Sequence, residues 1–221
     1  VNGEETEFDV PFSDIADSVN GGFQLYTELR WRKWFVAFDG TWAKLKPAID
    51  IPLFDVDLDI TQRIFDVRVG YEVLRCTLDG PLDPCCEGWR RWIVADVFVG
   101  VRYWYTKLDL SLKGQGPIGI EGSIDGVDER WDPFVGARFG IDLTRRWSLG
   151  VRGDVGGFGI EDSAELAWQV QGGVSYDVTP WMHVFTGWRA IGTDLVTGSG
   201  ADKNGTEMIQ HGPLFGLGFS F

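Results

Sequence analysis

The chain is short of most things that a membrane helix, a nucleic-acid binder or an enzyme needs. Its longest stretch without Asp, Glu, Lys or Arg covers 208–221, and even that holds Gln210, His211 and Ser220. A membrane-spanning helix needs about 18–20 consecutive apolar residues, so no run qualifies. Basic residues are scarce: 20 Lys+Arg stand against 33 Asp+Glu, a formal net charge of −13. Phosphate neutralisation calls for a basic face, so a nucleic-acid partner is not expected. Only His183 and His211 offer a neutral-pH base, and neither has a Ser or acidic partner at a diagnostic spacing. With no phosphate loop and no nucleophile elbow, neither catalysis nor a cofactor is expected. The acidic residues Asp55, Asp57 and Asp59 alternate without completing a calcium loop, so no metal is expected.

Cysteine is nearly absent. Cys76, Cys85 and Cys86 sit in one short stretch whose spacing fits neither paired zinc knuckles nor haem attachment. A disulfide from Cys76 to Cys85 or Cys86 suits an oxidising compartment and leaves one thiol over. Helical periodicity is missing too, except over 12–19, which follows Pro11, precedes Gly21-Gly22 and reads as a short helix.

What is abundant is glycine, tryptophan and phenylalanine, with 30, 11 and 15 residues. Nine runs alternate at period two: 22–31, 34–43, 63–74, 92–106, 131–143, 147–158, 168–178, 183–190 and 213–221. Most exceed the usual soluble strand of about 5–6 residues. Tight turns at Arg32-Lys33, 144–146 and 179–182 alternate with longer Gly- and Asp-rich connections, and the link over 75–91 belongs to the tight side. Short turns at one end and long loops at the other are the pattern of an up-and-down transmembrane barrel. Trp31, Trp34, Trp89, Trp92, Trp147 and Trp181 collect beside Arg or Pro at the tight ends, as an interfacial aromatic girdle would. The expected fold is therefore all-β: an antiparallel up-and-down transmembrane β-barrel of about 8–10 strands over 22–221, preceded by an acidic segment over 1–21.

Alternation alone also fits a soluble, lipocalin-like barrel with its apolar face inside. The polar parity favours the membrane. It is rich in glycine and carries Glu28, Asp39, Asp66, Glu72, Asp96, Asp142, Asp154 and Asp177 against Arg30, Arg68, Arg102, Arg138, Arg152 and Arg189. Every base there is arginine, the residue suited to confined bidentate pairs, where an open surface would mix in lysine. The candidate lumenal charge network is Asp66, Arg68, Asp96, Arg102, Arg138, Asp142, Arg152, Asp154 and Arg189. In a barrel of this size, side chains fill the interior or leave at most a narrow channel. The net negative charge lies elsewhere, in the longer connections and in Glu4, Glu5, Glu7, Asp9, Asp14 and Asp17.

The C-terminal HGPLFGLGFSF over 211–221 resembles the last strand of bacterial outer-membrane barrels, whose terminal Phe, here Phe221, is read by the assembly machinery. WDPFVGARFG over 131–140 and RWSLGVRGDVGGFGI over 146–160 resemble a family of small porin-like outer-membrane β-barrels. The resemblance runs from about Val10 to Phe221. It implies a bacterial outer-membrane location and contact with outer-membrane lipid and lipopolysaccharide. It also implies one more strand ahead of this region, making ten; the rival is that the first twenty residues thread the lumen or add an irregular strand. The expected function is a porin-like barrel whose narrow charged lumen passes small solutes or ions. The alternative is a structural or interaction protein whose acidic outer loops bind lipopolysaccharide, cations or a protein partner.

Overall fold

Period-two alternation, with β-branched and aromatic residues gathered on one parity, favours a pleated strand with two unlike faces. A computed structural model describes residues 19–46, 49–51, 54–78, 90–114, 121–160, 163–197 and 204–221, and no helix occurs among them. The helix expected over 12–19 lies outside the described residues as far as position 18, and Val19 already belongs to a strand. The strands are β1 (Val19–Trp31), β2 (Trp34–Leu45), β3 (Ile49–Ile51), β4 (Phe54–Thr77), β5 (Trp92–Gly114), β6 (Glu121–Asp142), β7 (Trp147–Gly157), β8 (Leu166–Thr179), β9 (Met182–Thr197) and β10 (Asn204–Phe219).

The fold is all-β, a single antiparallel up-and-down sheet. Its order is β1-β2-β4-β5-β6-β7-β8-β9-β10, with β3 pairing β4 off that path. Each of the nine expected runs lies on its own long strand. The path has an odd number of members, so β1 and β10 run the same way. Among the described residues no pairing joins them.

The longer connections differ from expectation. Strand β4 begins at Phe54, β5 continues to Gly114, β6 begins at Glu121, and β9 and β10 pair from Asn204↔Thr197 onward. Segments that read as acidic loops are strand extensions, because their alternation continues in inverted phase. In β4 the parity that holds Phe65, Val67 and Val69 changes to Thr61, Asp59 and Asp57, while Ile60 and Leu58 occupy the other. In β5, Lys107, Asp109 and Ser111 follow Val101, Tyr103 and Tyr105 on one parity. The described residues between β7 and β8, 158–160 and 163–165, do remain a loop. The chain enters it through Gly157, Phe158 and Gly159 at φ 87°, 65° and 60°, a left-handed run that glycine enters without steric cost.

The tight turns sit where expected, and two share a device. Thr144 Oγ1 accepts from the backbone N of Arg146 and Trp147 at 3.3 and 3.1 Å. Thr179 Oγ1 accepts from Trp181 and Met182 at 3.4 and 3.0 Å. A hydroxyl thus takes up N–H groups that the ladder leaves unpaired. Beside these turns the aromatics pair and stack under cations: Trp147 lies 4.8 Å from Tyr176, Trp181 stacks 6.0 Å from Phe219, and Arg32 lies 4.9 Å over Trp31.

The chain divides into two compact units. The first comprises Val1–Leu25, Asp39–Phe65 and Trp104–Glu129, and the second Tyr26–Phe38, Asp66–Tyr103 and Arg130–Phe221. The second unit is strongly curved. Glu28 on β1 and Arg138 on β6 lie four sheet spacings apart, about 19 Å in a flat sheet at roughly 4.8 Å per strand. Yet Arg138 Nη2 donates to Glu28 Oε1 at 3.0 Å. The face bearing these charges is concave. The face bearing Val97, Val99, Val101, Val135, Leu149 and Val151 is convex and exposed.

Candidate functional site: the buried arginine–carboxylate face

The concave face of the second unit has two charged clusters separated by rings. In the first, Arg102 of β5 donates Nε and Nη2 to the two oxygens of Asp66 on β4 at 2.8 and 3.1 Å. Its Nη2 also donates to Asp154 Oδ1 on β7 at 2.9 Å. None of the three side chains is more than 1% exposed. Arg152 Nη2 stands 3.5 and 3.7 Å from Asp66 and Asp154, and Arg68 Nη1 is 3.9 Å from Asp66. Three guanidiniums therefore share two carboxylates. The planar fork of Arg102 explains why arginine occupies this position, since one side chain can bridge carboxylates brought from two strands.

The second cluster is centred on Arg138 of β6. It donates Nε to Asp96 Oδ2 at 2.6 Å and grips both oxygens of Glu28. Arg30 of β1 bridges Asp96 and Glu72, each at 3.0 Å, and Arg75 donates to Glu72 at 2.7 Å. Tyr26 donates its hydroxyl to Glu28. Three arginines here meet three carboxylates.

Between and beneath the charges lies an apolar layer of Phe35, Ala37, Phe98 and Phe134. Phe98 and Phe134 meet edge to face with centroids 6.2 Å apart. The Arg138 guanidinium lies 4.3 Å over Phe35, and that of Arg102 4.9 Å over Phe134, so the rings also support the cations. The rings fit because the facing positions are glycine. A Cβ on Gly70 would fall inside the Phe35 ring, one on Gly136 would strike Phe98, and one on Gly100 would strike Phe134 and the Val67 carbonyl. Glycine on the polar parity thus makes room for aromatic side chains close to the backbone.

Seven of the nine sequence-predicted residues come together in these clusters: Asp66, Arg68, Arg102, Arg152 and Asp154 in one, Asp96 and Arg138 in the other. The remaining two make hydrogen bonds of their own. Asp142 accepts from the backbone N of Trp92 at 3.4 Å, and Arg189 donates to Gln169 Oε1 at 2.8 Å. Glu28, Arg30 and Glu72 were legible by parity, and the contacts add them to the network. Arg130 and Asp132 form a further buried pair at 3.3 Å, and Asp132 also accepts from the Ala164 backbone N at 2.9 Å, tying the β7–β8 loop to β6. Cys76 is exposed on β4, whereas Cys85 and Cys86 lie outside the described residues, as does any bridge to them.

The first unit has different chemistry. Asp57, Asp59, Asp109, Ser111, Ser123 and Asp125 line a polar groove of about 380 Å³. Lys46 holds Asp59 at 2.9 Å, and its hydrogen bond keeps the Asp59 carboxyl below the usual carboxylate range. Among the described residues no three His, Cys, Asp or Glu side chains are placed to hold a metal ion. His211 stacks on Trp188 at 5.6 Å, and the His183 imidazole covers Gly218. The arrangement in the second unit can lock strands to one another and obstruct passage along the concave face. No family model, curated protein or solved structure matches the chain.

Proposed function

We propose that the chain is an integral bacterial outer-membrane β-barrel protein of the porin-like kind, with a charged, narrow interior open at most to small ions or solutes. The observation that carries this reading is an inverted distribution of polarity. Among the described residues, fourteen polar or charged side chains are buried against nine apolar ones, while long series of valine, leucine and phenylalanine are exposed on the opposite face. In water such a surface would be one continuous apolar patch, far beyond the few hundred Å² that soluble monomers expose. In a bilayer it is the lipid-facing band, and the tight-turn aromatics supply the interfacial girdle.

Flotation of the refolded protein with lipid vesicles, with heat-sensitive migration as the sign of a folded barrel, tests the membrane assignment. A protein that stays in the aqueous fraction overturns it. Planar-bilayer recording tests the interior. The ring layer of Phe35, Phe98 and Phe134 and the Arg102 cluster favour conductance that is very small, and Phe98→Ala is expected to raise it. A fully silent wild type that stays silent in Phe98→Ala supports the structural alternative: a barrel whose acidic outward parts bind lipopolysaccharide, cations or a protein partner.

A further inference from the structure

The face of the first unit that bears Trp42, Phe65 and Tyr105 carries a feature that a lipid-facing band does not require. Three strands there change from aromatic to cationic side chains within two residues: Trp42 to Lys44 on β2, Phe65 to Arg63 on β4, and Tyr105 to Lys107 on β5. Beyond the cations the same parity turns acidic, at Asp59 and Asp109. The aromatics form one surface: Trp42 meets Phe65 edge to face at 5.1 Å and Phe23 at 5.7 Å. Arg63 lies with its guanidinium 5.1 Å over Tyr105. Phe23, Trp42, Lys44, Thr61, Gln62 and Arg63 line an open groove of about 450 Å³.

The cations differ in how fully they are engaged. Lys46 and Lys107 are paired with Asp59 and Asp109 at 2.9 and 2.8 Å, whereas Lys44 stands 4.0 Å from Asp59. Arg63 takes part in no salt bridge among the described residues and faces the groove beside Lys44. Two cations thus converge on a cleft walled by Trp42 and Phe23. An amphipathic anion matches this combination, with an acyl chain along the aromatic wall and a phosphate on the two cations. Stacking on Tyr105 fixes the plane of the Arg63 guanidinium, whose fork suits a phosphate's oxygens.

We propose that Arg63 and Lys44, with Trp42 and Phe23, form a binding site for the phosphate of an outer-leaflet glycolipid, the phosphorylated diglucosamine of lipopolysaccharide. This rests on the membrane reading above, which puts the long strand extensions on the outer side and the aromatic-to-cation step at the headgroup level. The outer leaflet is favoured because the cations lie on the extension side of the aromatics, opposite the tight turns. A basic side chain near an anionic membrane surface contributes about fivefold in affinity.

The test uses the full chain refolded into neutral-lipid nanodiscs, with flotation scored first. Binding of phosphorylated lipid A, dephosphorylated lipid A and phosphatidylglycerol is then measured for wild type, Arg63→Gln, Lys44→Gln, the double variant and Arg63→Lys. Phosphorylated lipid A is expected to bind best. Each Gln variant should weaken it about fivefold and the pair roughly twentyfold or more, with Arg63→Lys intermediate. Equal binding of dephosphorylated lipid A, or unchanged binding in the double variant while all proteins float and migrate as folded, overturns the site and leaves the membrane reading standing. Equal retention of phosphatidylglycerol overturns the glycolipid assignment. A wild type that does not float overturns both.

Discussion

Removing Arg102 is the sharpest perturbation of the buried charge face. Its guanidinium makes three charge-assisted hydrogen bonds, two to Asp66 and one to Asp154, and all three side chains are at most 1% exposed. In Arg102→Met the packing volume over Phe134 is largely kept, while two buried carboxylates lose their main donor. Breaking a buried pair from one side costs about 3–5 kcal/mol, because the charge left behind is neither solvated nor paired. Arg152, at 3.5 and 3.7 Å, can take over part of the contact. The expected loss is therefore at the lower end, about 3 kcal/mol. Guanidinium unfolding of the refolded protein, followed by tryptophan fluorescence, measures it. Asp66→Asn should cost less, and Arg102→Met with Asp66→Asn should cost less than the sum of the single changes by about 1–3 kcal/mol. A loss below about 1 kcal/mol, with additive single changes, would refute the view that this cluster joins β4, β5 and β7.

Four further outcomes follow from local geometry. Gly100→Ala is expected to destabilise by about 1–3 kcal/mol, since its Cβ meets the Val67 carbonyl and the Phe134 ring. Gly216→Ala, with nothing within 4 Å, should be near neutral in the same unfolding assay. Thr179→Ala removes the acceptor for the Trp181 and Met182 N–H groups and should cost about 0.5–1.5 kcal/mol, measured in the same way. The Asp59 carboxyl, held below its ordinary range by the Lys46 hydrogen bond, should titrate by NMR below the unperturbed value of about 3.9. Its contribution to stability is therefore present above the unfolded pKa and is lost as pH falls through the folded one. Lys46→Ala should return the midpoint toward the ordinary value, and an unmoved midpoint would deny the pairing.

Much of the fold is legible in the sequence, because alternation and turn chemistry are local. The register of Trp147↔Tyr176 and the hydroxyl-capped turns at Thr144 and Thr179 follow from neighbours in the chain. The extensions do not read as strands in the sequence for a physical reason. Beyond Arg63 on β4 and Tyr105 on β5 the polar and apolar parities exchange, so Asp57 and Asp59 read as loop acids although they are one face of a strand. Arg63 was hidden by the same inversion, as a charge on the parity that is apolar farther along β4. Within the charge network, parity identifies which side chains share a face but not which ones meet. Glu28 reaches Arg138 only because the sheet curves across four strand spacings, and curvature is a collective property. Phe35 and Phe134 carried a fainter signal, since they are apolar residues on the polar parity. The glycines facing them, Gly70 and Gly100, were the available clue.

The central claim is that the valine-rich parity faces lipid and the arginine–carboxylate parity faces inward. Spin labels placed one at a time along β5 from Val97 to Tyr103, in the cysteine-replaced protein in liposomes, test it directly through accessibility to oxygen and to a water-soluble nickel chelate. Oxygen accessibility should rise and fall with a period of two, high at positions 97, 99, 101 and 103, with nickel accessibility low at those positions. High nickel accessibility at positions 97, 99, 101 and 103 would contradict the account, because it would put the apolar parity in water.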